Sequence, residues 1–479
     1  MHWLAAPGAA LARLALQRGL GLVYLVAFLV AANQFPALCG ERGLLPAPGL
    51  LERVAFRDAP SLFHWRYSDR LLRVVAGTGA LLAALVILGV PDRGPLWLSI
   101  AVWLALWALY QSIVNVGQIF YGFGWESLLL EAGFLGAFLG TPAVAPPLPL
   151  LWLFRWLLFR VEFGAGLIKM RGDACWRDLT CLDYHHETQP MPNPLSWFFH
   201  RLPRPLHRVE VLVNHFAQLV VPFGLFCPQP VADVAAALVL ITQGWLVLSG
   251  NFAWLNLLTL VLAFSGLDDA ALRHVLPLRL PPPGPFPLGY AAAVIAVAAL
   301  ILFLSWRPAR NLVSRDQIMN TSFDPLHLVN SYGAFGSITR VRHEVVVEGT
   351  DALSPGPSST WREYEFKAKP GDPRRRPPQF APYHLRLDWL MWFAALTSAF
   401  HQRWFVPFLE KLLENDAPTL ALLRRNPFPA HPPAFVRAQL YRYRFTTWAE
   451  RRATGAWWSR ELVGAFHPPL GRSPGGGFE

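Results

Sequence analysis

Lysine is nearly missing from this chain. Four of its 479 residues are lysine (Lys169, Lys367, Lys369 and Lys411), so the formal net charge of +11 rests on arginine. Charged residues of all kinds make up 15% of it, against roughly 25% in an average soluble domain. With arginine, alanine, proline and glycine favoured over lysine, the basic balance reads as a coding bias. No fold or motif of nucleic-acid recognition accompanies it, so nucleic acid is not an expected partner. At a bilayer, such charge meets anionic lipid head groups. Cysteine is scarce as well: Cys39, Cys175, Cys181 and Cys227 are too few for a disulfide scaffold, and no C-x-x-C occurs. Cys175 and Cys181 stand near enough for a small-loop disulfide on an oxidising face; two buried thiols are the alternative. There is no G-x-S-x-G nucleophile elbow, no glycine-rich phosphate loop and no fixed-period repeat. No cleavable signal is expected, because the first apolar run continues into a full span.

What fills the chain instead is hydrophobe. It is 53% hydrophobic, with 20 Trp, 33 Phe and 43 Pro, and its mean hydropathy is +0.31. A bilayer span needs about 20 apolar residues. Candidate runs lie near 18–33, 71–90, 96–114, 126–141, 149–168, 209–227, 231–249, 251–267 and 288–306. The fold class is therefore a multi-pass α-helical membrane bundle of about 8–11 spans, occupying 1–306. Runs 231–249 and 251–267 are expected to form a tight hairpin around Ser249-Gly250-Asn251. After Trp306 no span follows, and 307–479 is expected to be a mixed, partly β soluble domain large enough for its own core. Arg342–Glu348 and Trp361–Lys369 alternate with the two-residue period of strands, and Tyr441–Phe445 is a third strand candidate. Leu385–Phe400 and Phe405–Leu413 read as helices. The tail 471–479 (GRSPGGGFE) is expected to be disordered.

Ionisable groups inside spans are costly and usually paired or functional. Arg155, Glu162 and Lys169 recur every seven residues, a step that falls only about 20° short of two turns. On one helix they form a polar stripe about 21 Å long at 1.5 Å per residue. That stripe lines either a polar cavity or a structural ion pair of Glu162 with Arg155 or Arg160, Lys169 then reaching to the head groups. Gly164 and Gly166 would admit close approach of a helix or a ligand. Glu126 is placed at an interface; Glu131, deeper, needs a cation, and Arg155 or Arg160 is nearest in sequence. Asn214, His215, Gln218, Asn251 and Asn256 read as interhelical hydrogen-bonders.

The polar loop 169–208 interrupts this hydrophobe. Its unpaired polar groups cannot lie in lipid, where each costs several kcal/mol, so it sits at a membrane face or in a protein cavity. His185-His186-Glu187 lacks the spacing of a helical metal site, so neither a metal nor a cofactor is expected. With nine spans the 33–70 loop, the 169–208 loop and the C-terminal domain share one face. That face holds most of the arginine, and the positive-inside rule makes it cytoplasmic.

Trp125–Phe134 (WESLLLEAGF), the 169–208 loop, Asn320–Thr339 (NTSFDPLHLVNSYGAFGSIT), Trp361–Pro373 (WREYEFKAKPGDP) and Pro382–Leu396 (PYHLRLDWLMWFAAL) resemble the signature of the lipase maturation factor family. The resemblance covers most of the chain. It implies a multi-pass endoplasmic-reticulum membrane protein, or a cytoplasmic-membrane one in a bacterial source, that assists folding and assembly of secreted lipases. It also implies a lumenal C-terminal domain, against the arginine count, and no catalytic residues. Client-contact candidates are Trp176, Tyr184, His185, His186, Tyr332, Phe335, Trp361, Tyr364, Tyr383 and Trp389, with membrane lipids and client proteins as partners. A second, shorter resemblance joins Phe163–Lys169 and Trp176 to the membrane domain of vitamin-K-dependent γ-carboxylases. It implies an alternative in which Lys169, Glu162 and His185 meet in a ligand-sized cavity and the lysine acts as a base.

Overall fold

The computed structural model describes residues 2–278 and 280–472. The apolar runs become helices, since lipid leaves a backbone no other way to pair its polar groups short of a closed barrel. The helices are α1 (Ala10–Cys39), α2 (Asp69–Ile87), α3 (Leu96–Val116), α4 (Gly124–Ala137), α5 (Leu148–Arg171), α6 (Arg204–Leu219), α7 (Val231–Ser249), α8 (Leu255–Ala263) and α9 (Leu288–Leu304). Local signals start them. Ser68 caps α2 by accepting a hydrogen bond from the Leu71 amide, and proline occupies the first turn of α5 and of α6.

Among the described residues, five regions are long and apolar enough to cross a membrane: Pro7–Cys39, Asp69–Ile87, Leu96–Val116, Val231–Ser249 and Leu288–Val313. The other four runs are shorter or more polar. Helix α4 has 14 residues, α6 has 16 and α8 has nine. Helix α5 has 24 residues but carries Arg155, Arg160, Glu162 and Lys169, the last three of them buried. The bundle shelters α5 inside it. The α7–α8 turn is tied down by Asn251, whose amide donates to the Pro378 carbonyl at 2.9 Å while its oxygen accepts from the Phe380 and Ala381 amides.

Beyond the helix Trp306–Val313 the chain builds an antiparallel sheet from β1 (Arg342–Thr350), β2 (Arg362–Glu363), β3 (Phe435–Phe445) and β4 (Trp458–Gly471), in the order β2-β1-β3-β4. Helix α10 (Arg386–Ala395) packs on β1, and α11 (Phe405–Leu413) packs on β3 and β4.

Four expectations change. The single strand 361–369 is two fragments, Arg362–Glu363 on β1 and Glu365–Phe366 on Leu423–Arg425. Lys369 instead turns its amide to the Asp388 carboxylate at 2.9 Å. The helix expected over 385–400 stops at Ala395, a separate 3-10 turn following at Ala399–His401. The third strand runs well beyond YRYRF, to the full β3. Its partner β4 contains Pro468 and Pro469, which lack amide donors; the sheet tolerates them because β4 is an edge. Register shifts between β3 and β4 also break the alternation that a sequence pattern relies on. Gly471 closes β4 opposite Phe435 and is ordered there, whereas 473–479 lie outside the described residues.

Candidate functional site

Both carboxylates of α4 are buried, and each has a cation. Glu131 pairs with Arg160 of α5. Its second oxygen accepts from the Asn330 amide at 3.0 Å and the Tyr332 hydroxyl at 2.7 Å, and Arg160 donates to the Asn330 carbonyl at 2.6 Å. Of the two cations nearest in sequence, Arg160 and not Arg155 is the partner, and the pair also clamps the segment after the last long helix. Glu126 is buried in the protein. It lies 2.8 Å from Arg386 of α10 and accepts from Tyr110. Arg386 also donates to the Phe120 carbonyl at 2.6 Å and stacks 3.4 Å from the Tyr121 ring centre. Next to it, His384 Nδ1 accepts from the Trp125 indole at 3.4 Å. Burial pushes the His384 pKa down to about 3, so the ring is neutral. A charge of the bundle is therefore neutralised from the C-terminal domain. Sequence reasoning missed this contact, although both residues stand in family-like blocks.

The seven-residue stripe of α5 forms as expected, with different partners. Arg155 donates to the carbonyls of Ser265 (2.8 Å) and Leu225 (3.1 Å). Glu162 accepts from Gln243 of α7 at 2.6 Å, and Gln243 in turn accepts from Asn256 of α8 at 2.7 Å. Lys169 donates to Asn214 and Gln218 of α6, both at 2.8 Å, with the Trp176 ring centre at 4.8 Å. Two amide oxygens and an indole face occupy that ammonium. Glu162 forms no pair with Arg155 or Arg160, and Lys169 is buried instead of reaching the head groups. His185 packs 5.1 Å from the Phe335 ring and 6.4 Å from that of Phe252, and burial, with the nearby His186 and Lys169 charges, lowers its pKa. The two glycines admit protein: a Cβ on Gly164 would stand 2.4 Å from the Tyr332 carbonyl oxygen, and one on Gly166 would strike Leu219 and Gln218.

The loop after α5 folds into three short helices, Ala174–Arg177, Leu182–Thr188 and Ser196–His200. Cys175 and Cys181 are disulfide-bonded, with Cα atoms 4.8 Å apart. Asp173 pairs with Arg340 at 2.7 Å, and this contact holds its carboxyl down at about 2. His207 Nδ1 lies 3.2 Å from Asp183 and His200 Nε2 lies 3.6 Å from Glu187; burial lowers the His200 pKa to about 3.

The loop is stitched to the sheet. Arg342 and Glu344, two apart on β1 and so on one face, pair at 2.6 Å, with Lys369 2.9 Å from the same carboxylate. Arg342 then donates to three loop carbonyls, those of Glu187 (2.9 Å), Gln189 (2.5 Å) and Pro190 (3.1 Å). Trp197 donates to the Thr446 carbonyl at 2.9 Å, Arg201 to that of Phe445 at 2.8 Å and Trp392 to that of Thr188 at 3.1 Å. The end of α1 joins the same face: Gln34 donates to the His384 carbonyl at 2.6 Å and accepts from the Arg386 amide at 3.0 Å.

This stitching divides the ten client-contact candidates. Trp176, His185, His186, Tyr332, Tyr364 and Trp389 are buried and do not face outward. Trp176 donates to the Phe335 carbonyl, and Tyr332 to Glu131. Tyr184, Phe335, Trp361 and Tyr383 remain half-buried, so a partner can reach them. The family-like blocks and the loop supplied all ten; burial separates them.

Two family models match the chain, the lipase maturation factor transmembrane domain over residues 11–274 and the lipase maturation factor C-terminal domain over residues 328–468. Lipase maturation factor 1 of Bos taurus is 45% identical, the match covering 96% of this chain and 89% of the relative. The Homo sapiens protein of that name is 43% identical over 96% and 88%. Lipase maturation factor 2 of Homo sapiens is 30% identical over 97% and 83%. No solved structure matches.

Proposed function

The chain belongs to the lipase maturation factor family, and from that membership we propose that it is a membrane-embedded factor assisting assembly and export of secreted lipases or similar clients. It acts in the membrane where such clients emerge, the endoplasmic reticulum or, in a bacterial source, the cytoplasmic membrane. The membrane domain ends near residue 306, and the C-terminal domain shares the client side with the 169–208 loop. The observation that carries this reading is the seam: one buried guanidinium, Arg342, binds three carbonyls of a single loop stretch, those of Glu187, Gln189 and Pro190. Loop and sheet therefore present one rigid surface, on which Tyr184, Phe335, Trp361 and Tyr383 remain reachable.

The role is that of a folding factor and not of an enzyme. In support, the amine that γ-carboxylase-like chemistry would use is already held by Asn214 and Gln218. The test is rescue of secreted lipase activity in cells lacking the endogenous factor, with wild type and Lys169→Met compared. Lys169→Met should reduce rescue only in proportion to the fall in its own folded level. A variant that stays abundant and folded yet gives no rescue points to chemistry at Lys169 and overturns the proposal.

A further inference from the structure

A hollow of about 440 Å³ at the far end of the seam is lined by Trp448, Arg451, Arg452 and Gly455. It opens beside the short helix Trp448–Thr454, which is fixed by a capping box between Thr447 and Glu450. Aromatic rings floor this region: Trp197 lies 4.4 Å from Trp448 and 5.9 Å from Trp457, and Phe198 lies 6.1 Å from Trp448. Two guanidinium groups share the Trp457 ring, Arg451 at 3.2 Å and Arg376 at 5.0 Å from its centre. The adjacent acid, Glu450, is taken by Arg444 at 2.6 Å. Arg376 spends its donors on the Pro194 carbonyl, and Arg451 Nη1 is buried with no acceptor. Like charges thus converge on one indole while the neighbouring carboxylate is spent on Arg444, and the resulting positive field favours an anion in the hollow.

The chain says where that anion comes from. The helix bearing Trp197 and Phe198 passes through Leu202-Pro203 directly into α6. The outer face of α6 exposes Leu206, Val209, Leu212, Val213 and Phe216, while its polar face turns Asn214 and Gln218 to Lys169. Arg204 and Arg208 are exposed at its start. The chain thus runs from this apolar stripe to Phe198, which stands 6.1 Å from Trp448 at the hollow; the two rings are 38% and 52% exposed. Tryptophan and arginine side by side at the edge of an apolar face match the head-group layer of a bilayer.

We infer that this hollow binds the phosphate of an anionic phospholipid and so seats the C-terminal domain on the bilayer surface. The exposed Arg452 donates to the phosphate oxygens with the charge of the stacked Arg451 behind it, and Trp448 and Phe198 lie along the glycerol and upper acyl segment. The test uses the full-length protein in detergent, melted with short-chain phosphatidylglycerol, with phosphatidylcholine of equal chain length, or with soluble glycerol phosphate. Phosphatidylglycerol should raise the melting temperature and the other two should not. The double variant W448A/R452Q, which spares the packed Arg451, should lose that rise. No rise, an equal rise with phosphatidylcholine, or full retention in the variant overturns the site; an equal rise with glycerol phosphate overturns the lipid source. Should the variant melt lower on its own, a nitroxide on Trp448→Cys in a Cys227→Ser background reads the depth in phosphatidylglycerol nanodiscs. Oxygen collision typical of the head-group layer is expected, and fully aqueous collision rates overturn the inference.

Discussion

At the scale of single residues, the most consequential side chains are charges that water never sees. Glu126 and Arg386 are each at most 1% exposed, and each is the other's counter-ion. Removing one partner of a buried pair typically costs about 3–5 kcal/mol, because the remaining charge stays uncompensated. Arg386→Met should therefore lower the unfolding free energy by about that much, and adding Glu126→Gln to the same chain should recover most of it. Chemical unfolding in detergent of the two single variants and the double variant measures the coupling; additive losses contradict the pair. Beside it, His384 has a folded pKa of about 3 against an ordinary 6.5. The unfolded chain takes up the proton first, so stability is full above pH 6.5 and declines as pH falls toward 3. The slope is up to about 1.4 kcal/mol per pH unit. His384→Gln should flatten the melting-temperature profile between pH 6.5 and 4, and an unchanged slope in that variant assigns the acid sensitivity elsewhere.

At the scale of elements, helix α5 is the axis on which polar contacts converge from both sides. Its Arg160 reaches Glu131 and Asn330, while Arg155, Glu162 and Lys169 reach the turn at Ser265, α7 and α6. Its close approach to the Tyr332 backbone depends on Gly164, where an added Cβ meets a carbonyl oxygen at 2.4 Å. Gly164→Ala should destabilise by about 1–3 kcal/mol, the usual range for overpacking. Gly77→Ala in α2, where a Cβ meets nothing within 4 Å, should be neutral or stabilising by up to about 1 kcal/mol. Thermal melting of the pair separates close packing from helix propensity, and equal effects contradict the docking. The α5 stripe was legible in the sequence because a seven-residue spacing constrains direction on any helix. Its partners were legible only in part: Asn214 and Gln218 already read as interhelical hydrogen-bonders, but nothing in the sequence tied them to Lys169, and Gln243 carried no signal. The edge strand β4 escaped for a related reason: two prolines and shifted register hide a strand that only its neighbour β3 makes plain.

At the scale of the whole molecule, the two-part architecture could be read from hydropathy alone, because lipid and water select different patterns. How the parts meet could not. Arg386 and Arg342 look like surface cations in the sequence, yet each is buried by a segment far away in the chain. The same packing withdraws Trp176, His185, His186, Tyr332, Tyr364 and Trp389 from the surface, while Tyr184, Phe335, Trp361 and Tyr383 stay half-buried. Client contact at this seam is the central claim. The most direct test puts a photo-crosslinking amino acid in place of Tyr184 or Trp361 in cells making a secreted lipase. As a control it also replaces Phe303, which is 79% exposed on the apolar helix α9. Adducts with newly made lipase are expected from Tyr184 and Trp361 and none from Phe303; no adduct at either seam position, or equal yield from Phe303, contradicts the account.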